Sequence, residues 1–291
     1  KIGLQEQYTQ SCRRRDHALG KVDMDNIRKL YGTTLQLSAS QVDRQAECRM
    51  SYFLQYGMRA KERKEATVDP AEFGTYVHAV LEKTAREVME LGGFHKVSLE
   101  QTMDIAMKYS EEYAAERFAG MDSQRITYLF RRNHRELEMV VAELWQELKA
   151  SSFAPEDFEL RFGDHGRMDA ITIHGAAMPA VLRGLVDRVD LWQEDGRHYF
   201  RVVDYKTGKK DFDYCDVFNG VGLQMLLYLF ALEQSEFGTA AGVQYFPARA
   251  PLMNVDGKLT DEEAQTALLK EWKRRGLLLN DESVLDAMDP D

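Results

Sequence analysis

The sequence predicts a mixed α/β domain in which a central mixed β-sheet is flanked by helices. Strand patterns occupy residues 158–206 and 240–246, whereas helical periodicity marks the segments around them. An Asp-Gly step at position 195 lies between two of the strands and predicts a β-hairpin. The 291 residues are 44% hydrophobic and 30% charged, which is ordinary for a globular protein with a substantial core. No apolar run reaches the ~18 residues that a membrane span needs.

The pattern divides the chain into a lead-in and one elaborated domain. Residues 1–37 are polar and are expected to lead in from a preceding domain, whereas residues 38–291 form the domain itself. Residues 98–150 are expected to form a helical insert of long amphipathic helices, whose apolar stripe is more typical of core than of a ligand site. From Thr260 we expect a capped helix and a polar tail.

Three further helices have recognisable boundaries or faces. Ser38 or Ser40 can cap the first, which runs through Cys48. The second contains His78, begins after the Asp69-Pro70 step that interrupts the helical pattern, and is expected to end near residues 91–93. The third covers residues 220–236.

The predicted turn sets the register of the hairpin. Both loop positions of a type I′ turn need positive φ, which glycine takes freely and aspartate tolerates. If Glu194 and Arg197 pair across the turn, counting back along both strands places Asp187 opposite Asp204. Directly opposed residues have Cβ atoms roughly 4.5–5.5 Å apart, where two like charges are destabilising unless something neutralises them. The pair therefore predicts a site for a divalent cation, provided that no bulge shifts the register.

Side chains alternate along a strand, so Asp204 and Lys206 share one face, while Tyr205 points to the other. The face of the two aspartates also carries apolar residues, and we therefore expect it to be core: Leu185, Val189, Leu191, Phe200 and Val202. Asp190 lies on the opposite face, across from Arg201. An ordinary cross-strand ion pair accounts for it, so Asp190 is left out of the site.

Several segments together resemble a known family. GLVD followed by the strand VVDYKTG resembles the core of the PD-(D/E)XK nucleases, in the form found in the RecB-like exonucleases. FGTYVHAVLE resembles that family's Gly-x-x-x-His helix, and GLQMLLYLFALE resembles its Gln-x-x-x-Tyr helix. AECRMSYFLQYGMRAKER and AGVQYFPAR are similar to segments of the carboxy-terminal nuclease domains of AddB-type subunits of bacterial helicase-nucleases. The resemblance runs from about Leu37 to about Arg249, and the order and spacing of the motifs are more specific than any one motif.

The resemblance implies a metal-dependent phosphodiesterase site. The ligands it implies for Mg²⁺ or Mn²⁺ are His78, Asp187, Asp204 and the backbone carbonyl of Tyr205. Hard oxygen ligands suit both ions, and an imidazole ligand favours tolerance of Mn²⁺. Lys206 would orient the attacking water or stabilise charge on the phosphorane. The residues implied to be catalytic are Asp187, Asp204, Lys206, Gln224 and Tyr228.

Packing is the alternative explanation for three of these residues. His78 lies near an apolar helical stripe, where a lone histidine is usually a packing residue, and Gly74 one turn earlier leaves room for another backbone or for substrate. Gln224 and Tyr228 share a helix face, which also fits an ordinary surface with one amphipathic aromatic. The resemblance favours the functional alternative, with Gln224 at the metal or a substrate phosphate and Tyr228 against DNA.

The formal net charge of −10 disfavours simple nonspecific DNA binding, because that affinity comes from Lys and Arg. An acidic nuclease domain is compatible with a larger assembly that delivers the strand. Among the short basic clusters, only Lys209 and Lys210 directly follow the motif strand. We expect these two lysines, together with Tyr228, to contact DNA.

Three cysteines occur, at 12, 48 and 215, without a metal-ligand spacing such as C-x-x-C. Cys48 matches the first cysteine of the iron–sulfur site of the AddB-type domains. A 4Fe-4S cluster needs four thiolates, so this chain cannot complete one. The resemblance therefore implies that the chain is truncated before the carboxy-terminal segment that carries the other three cluster cysteines. Cys12 and Cys215 are expected to have no role in the cluster.

The function implied by the resemblance is that of a metal-dependent DNA exonuclease domain of an AddAB-type helicase-nuclease in double-strand break repair and recombination. Its expected substrate is the single-stranded DNA ends of unwound duplex, and its expected partner is an AddA-like subunit. It is expected in the bacterial cytoplasm, without membrane association. One alternative is a catalytically weak DNA-holding or docking module of the same complex, which predicts a broken carboxylate set. Another is a free-standing exonuclease of the CRISPR-adaptation type, which needs no partner. No G-x-x-x-x-G-K-[ST] segment occurs, so ATP hydrolysis is assigned elsewhere.

Overall fold

The computed structural model describes residues 5–6, 9, 23–61, 70–117, 124–163, 166–175, 177–233, 237–250, 260, 262–263, 266, 270 and 272–289. For residues 70–72 and 124–132 it describes the backbone without the side chains. The described chain forms a mixed sheet of seven strands with helices packed against it. This is the mixed α/β architecture predicted from the sequence.

One long strand organises the sheet. The strands are β1 Leu35–Ser38, β2 Ala154–Phe162, β3 Ile171–Ile173, β4 Ala180–Glu194, β5 Arg197–Lys206, β6 Thr239–Pro247 and β7 Arg275–Leu278. Their order is β1-β4-β5-β6-β7, and β2 and β3 also pair with β4. The pairs β1–β4 and β5–β6 are parallel, and the other pairs are antiparallel.

The prediction of one continuous helix through Cys48 is wrong, because the backbone of Cys48 is extended (φ −158°, ψ 106°) and ends one helix before the next begins. The helices otherwise follow the predicted order. They are α1 Met24–Tyr31, α2 Ala39–Glu47, α3 Arg49–Tyr52, α4 Pro70–Glu90, α5 Leu99–Arg117, α6 Gln124–Ala150, α7 Tyr214–Phe218, α8 Gln224–Glu233 and α9 Glu282–Met288, with a π-helical turn at Phe53–Gly57 after α3. Ser38 caps α2 in a capping box with Gln41, which confirms the first of the two predicted caps. A search of the described residues finds no helix with the length and apolarity needed to cross a membrane.

The β4–β5 hairpin has the predicted register. Asp195 and Gly196 take φ of 49° and 77°, as a type I′ turn requires. Pairing runs without a shift from Glu194 opposite Arg197 to Arg188 opposite Val203. The ladder ends there, one residue before Asp187 and Asp204, and the two carboxylates therefore lie where the hairpin pairing stops.

Two hydrophobic cores cover the two faces of the sheet. The first joins α4, α5 and α6 to Val203 and Tyr205 of β5, and the second joins α8 to Phe200 and Val202 of the same strand. The apolar stripe of the predicted helical insert is part of the first core, through Leu137, Val140, Val141, Leu144 and Leu148. The prediction that the aspartate face is core is therefore confirmed at β5 and at Val189 of β4.

Both ends of the chain hold more structure than the pattern predicts. β1 brings Leu35 to Leu37, assigned above to the lead-in, into the sheet beside β4. The prediction of a polar tail is wrong, because β7 extends the sheet and α9 packs on it with three buried residues: Val284, Ala287 and Met288. Elements of four to seven residues contain only about two hydrophobic periods, which is too few to distinguish a pattern from chance. The helix predicted from Thr260 lies largely outside the described residues.

Candidate active site

The end of the hairpin ladder is where α4 and α8 meet the carboxylates. His78 of α4 has Nδ1 3.5 Å from Oδ2 of Asp187 and Nε2 2.8 Å from the carbonyl oxygen of Tyr205. The N–H of Tyr205 donates to Oδ2 of Asp187 at 2.8 Å. The structure thus brings together three of the groups expected to bind metal: the His78 imidazole, the Asp187 carboxylate and the Tyr205 carbonyl.

The environment of His78 favours its charged form. Burial of the ring lowers its pKa, but the hydrogen bond and charge of Asp187, with the charge of Asp204, outweigh burial and raise the pKa above its usual value. The ring also lies edge-on to the Tyr205 ring, with centroids 5.6 Å apart. His78 therefore lies in the field of two carboxylates and against one core aromatic, an environment that is compatible with both a ligand role and a packing role.

Asp204 and Lys206 form the second part of the site. Nζ of Lys206 lies 2.5 Å from Oδ2 of Asp204, whose side chain is 4% exposed. Burial raises the pKa of Asp204, the Lys206 ammonium lowers it and Asp187 raises it, and the result is a pKa of about 6. The Asp204 carboxylate is therefore costly to keep charged without a second cation nearby.

Sequence reasoning missed Glu159, which lies in β2. Phe158 pairs with Arg188 and Leu160 with Val186, so Glu159 stands directly opposite Asp187. Its φ is 51°, a left-handed conformation that a residue within a strand rarely adopts and that is typical of functional sites. Burial raises its pKa, as do Asp187 and Glu82. The sequence predicts strand structure at Glu159, but only the pairing of β2 with β4 places it at the site.

The donor set of the described residues fits a hard divalent cation. His78, Glu159 and Asp187 each offer a ligand atom within 4.8 Å of the other two, and each side chain is half-buried. One imidazole and two carboxylates suit Mn²⁺ or Mg²⁺. Asp204 was expected in this set but is turned toward Lys206, and Glu159 takes the third position.

Gln224 and Tyr228 approach from the other face of the sheet. Nε2 of Gln224 donates to the Tyr228 hydroxyl at 2.9 Å and lies 3.5 Å from Oδ1 of Asp204. The residue Tyr228 is 5% exposed, its ring packs edge-on against Phe162, and burial raises the pKa of its hydroxyl to about 12. A Cβ at Gly184 would lie 2.3 Å from the Phe162 ring, so this packing requires the glycine of GLVD. The ring of Tyr228 is thus a core element, and its contact with DNA stays a prediction.

Two of the clefts that border the site lie beside His78 and beside Lys206. One cleft, of about 440 Å³, is lined by His78, Glu159 and Gly74. A Cβ at Gly74 would meet Thr207 at an ordinary 3.5 Å, so the described fold does not itself need glycine there. Lys206, Lys209 and Lys210 line the other cleft, of about 340 Å³. Away from both clefts, Cys48 and Cys215 are exposed free thiols, and Cys12 lies outside the described residues.

Comparison with known proteins agrees with this geometry. The PD-(D/E)XK nuclease superfamily matches residues 36–286. The chain is 34% identical to the B-type subunit of the ATP-dependent helicase/deoxyribonuclease of Clostridium novyi over 94% of its length, which is 25% of that protein. It is 33% identical to the subunits of the same name from Desulforamulus reducens and Caldanaerobacter subterraneus, over 98% and 94% of this chain and 26% and 24% of those proteins.

The match covers the sheet and the residues gathered at the end of the hairpin. The chain spans about a quarter of the length of the curated relatives that it matches. The family match includes α4, β2, the β4–β5 hairpin and α8, which together supply every side chain described at the site. From this match and this geometry, the chain belongs to the PD-(D/E)XK nuclease superfamily.

Proposed function

We propose that this chain is a metal-dependent deoxyribonuclease domain that cleaves single-stranded DNA ends within an AddAB-type helicase-nuclease. The observation that carries the proposal is the convergence of His78, Glu159 and Asp187 beside the Asp204–Lys206 pair. The relatives named above are helicase/deoxyribonuclease subunits, which supports a role in DNA repair and recombination with an AddA-like partner in the bacterial cytoplasm.

The same proposal covers the organisation of the chain. The nuclease domain would begin with β1, whose residues from Leu35 pair with β4, and would extend to residue 291 with residues 98–150 as its helical insert. The residues before β1 would lead in from a preceding domain. Cys48 would provide one thiolate to a 4Fe-4S cluster. The exposure of Cys48 supports this, because its sulfur is accessible to a cluster. A cluster needs four thiolates and this chain has three cysteines, so at least one thiolate would come from outside the chain.

Mg²⁺ or Mn²⁺ would be held by His78, Glu159 and Asp187, with Asp204 adjacent. The chemistry that such a cation supplies when bound is a lowered pKa for the attacking water and neutralisation of charge on the phosphate. Nζ of Lys206 contacts Asp204, where it would stabilise the negative charge that develops on the phosphate oxygens. Gln224 approaches the other carboxylate oxygen of Asp204, with Nε2 3.5 Å from Oδ1.

Cleavage of labelled single-stranded DNA tests the proposal. With Mn²⁺ or Mg²⁺, we expect the parent chain to shorten the oligonucleotide and EDTA to stop it. Asp204→Asn, which removes the charge but keeps the volume, is expected to lower the rate at least about 100-fold, because a positioned charge contributes that much to catalysis. No cleavage by the parent with intact Mn²⁺ binding would favour the docking module of the same complex. Cleavage that EDTA does not affect would contradict the proposal.

Replacing Glu159 by glutamine is expected to weaken Mn²⁺ binding about 10- to 100-fold, because a charged oxygen ligand is replaced by a neutral amide. Isothermal titration calorimetry at pH 7.5 measures this affinity. Glu156→Gln is the matched control, since Glu156 lies in the same strand but outside the ligand group. Equal affinities for the two variants would remove Glu159 from the site.

Metal binding is expected to weaken as the pH falls. With a pKa of about 6, Asp204 is about nine-tenths protonated at pH 5 and almost fully charged at pH 7.5. The raised pKa of His78 acts in the same direction, since its protonated ring cannot bind a metal. We therefore expect Mn²⁺ affinity to fall at least about tenfold between pH 7.5 and pH 5. Calorimetry in buffers of different ionisation enthalpy measures the protons released, and Asp204→Asn should release fewer.

A further inference from the structure

The cleft beside Lys206 is strongly basic, although the chain as a whole is acidic. Six cationic side chains line it: Lys206, Lys209, Lys210, Arg249, Lys273 and Arg275. The described part of its lining contains no acidic side chain. Such a concentration of positive charge in a chain of net charge −10 requires an explanation beyond solubility.

The sheet topology builds this cleft from three distant parts of the chain. β5 and β6 are parallel, so their carboxyl ends lie together, with Lys206 paired to Pro247. β7 then runs antiparallel beside β6 and places Arg275 opposite Tyr245. The lysines after β5 therefore face the cations at the start of β7, although about 65 residues of chain separate them.

The charges in the cleft are only partly neutralised by the protein. Arg275 pairs with Asp211 at 2.6 Å, and Arg249 pairs with Glu136 at 3.4 Å. Lys209 and Lys273 are exposed, and neither forms an ion pair with another described residue. The cleft thus keeps at least two free cations next to Lys206, whose ammonium contacts the catalytic carboxylate Asp204.

We propose that this cleft binds the phosphodiester backbone of the single-stranded DNA on one side of the scissile phosphate, with Lys273 as a phosphate contact. The inference rests on the proposed nuclease function and deepens it. Lys206 belongs both to the cleft and to the Asp204 pair, so a strand lying in the cleft leads directly to the carboxylates. A cleft of about 340 Å³ accommodates nucleotide-sized groups. The cations there offset the chain's overall repulsion of DNA.

Binding measured without hydrolysis tests the cleft separately from catalysis. Fluorescence anisotropy of labelled oligothymidylate in EDTA, across a series of salt concentrations, gives the affinity and its salt slope. Each phosphate contact with single-stranded DNA contributes about 0.7 to that slope. We expect Lys273→Ala to lower the slope by about 0.7 and to weaken binding equally for different base sequences. Lys273→Glu should weaken binding further.

The matched control is Lys96→Ala, which removes the same charge from an exposed lysine between α4 and α5, outside the cleft. Equal slopes for the Lys96 and Lys273 variants would overturn the proposal, as would absence of oligonucleotide binding by the parent at low salt. Competition by inorganic phosphate as effective as that by unlabelled oligonucleotide would also overturn it, because it would indicate a single-phosphate site. Hydrolysis of the small substrate bis(p-nitrophenyl) phosphate with Mn²⁺ reports the nuclease function without needing the cleft. Failure of the cleft proposal can therefore be distinguished from failure of the proposed nuclease function.

Discussion

Replacing Lys206 by methionine is expected to reduce kcat for DNA cleavage about 100- to 1,000-fold. The ammonium lies 2.5 Å from Asp204 and at the mouth of the basic cleft, so it is placed to stabilise negative charge as the phosphate is attacked. Loss of one positioned electrostatic group of this kind costs about that factor in other enzymes. Methionine keeps the unbranched stem of the side chain and removes only the charge. Single-turnover cleavage at saturating DNA measures the effect.

Lys209→Met provides the control for this experiment. Lys209 lines the same cleft but is exposed and does not contact the carboxylates. We expect its loss to raise KM with little change in kcat, because a phosphate contact stabilises the bound strand and the transition state equally. A Lys206 variant that retained kcat within about tenfold of the parent would exclude the catalytic role of this lysine.

Replacing Glu147 by glutamine is expected to destabilise the fold by about 3–5 kcal/mol. Glu147 of α6 accepts from Arg188 of β4 at 2.8 Å and from Arg201 of β5 at 2.9 Å, and both arginines are buried. Although burial raises the pKa of Glu147, the guanidinium groups lower it more and hold it at about 2, so it is charged at neutral pH. The variant would leave two buried arginines with Asp190 as their remaining buried carboxylate, and breaking such a network carries that cost.

Urea denaturation at pH 7 measures this loss as a lower midpoint with an unchanged m-value. The control is Glu47→Gln, which breaks an exposed pair with Arg44 and is expected to cost less than about 1 kcal/mol. A loss as small as that of the control would show that the buried network contributes little to stability. The network also reaches the candidate site, because Arg188 donates to the hydroxyl of Tyr205 at 3.2 Å, and the carbonyl of the same tyrosine contacts His78.

The sequence was sufficient to predict the features that depend on interactions between residues close together in the chain. An Asp-Gly turn with positive φ determines the hairpin register, and the register then determines which residues lie opposite one another as far as Arg188 and Val203. The alternation of side chains correctly separated Asp204 and Lys206 from Tyr205. The cross-strand pair of Asp190 and Arg201 was also predicted, and the structure contains it with a separation of 2.7 Å between Nε and Oδ2.

The prediction of that pair as an ordinary one was incomplete, because periodicity cannot show which distant helix covers a strand. Glu147 lies 54 residues before Arg201, and only the packing of α6 on the sheet makes the pair a buried network. Short segments were missed for a related reason. The four residues of β1, LQLS, alternate for too few positions to identify a strand, and the four residues of β7, RGLL, do not alternate. Pairing with β4 and with β6 makes them strands.

The sequence by itself determined the architecture, the hairpin and the two carboxylates at its end, because turn chemistry and side-chain alternation act over a few residues. Only the tertiary structure decided that Glu159 joins His78 and Asp187, and that Asp204 turns toward Lys206. It also decided that Lys273 faces the lysines that follow β5. These arrangements depend on which strands become neighbours, and that choice is made by burial of the two cores against the whole sheet rather than by any local signal.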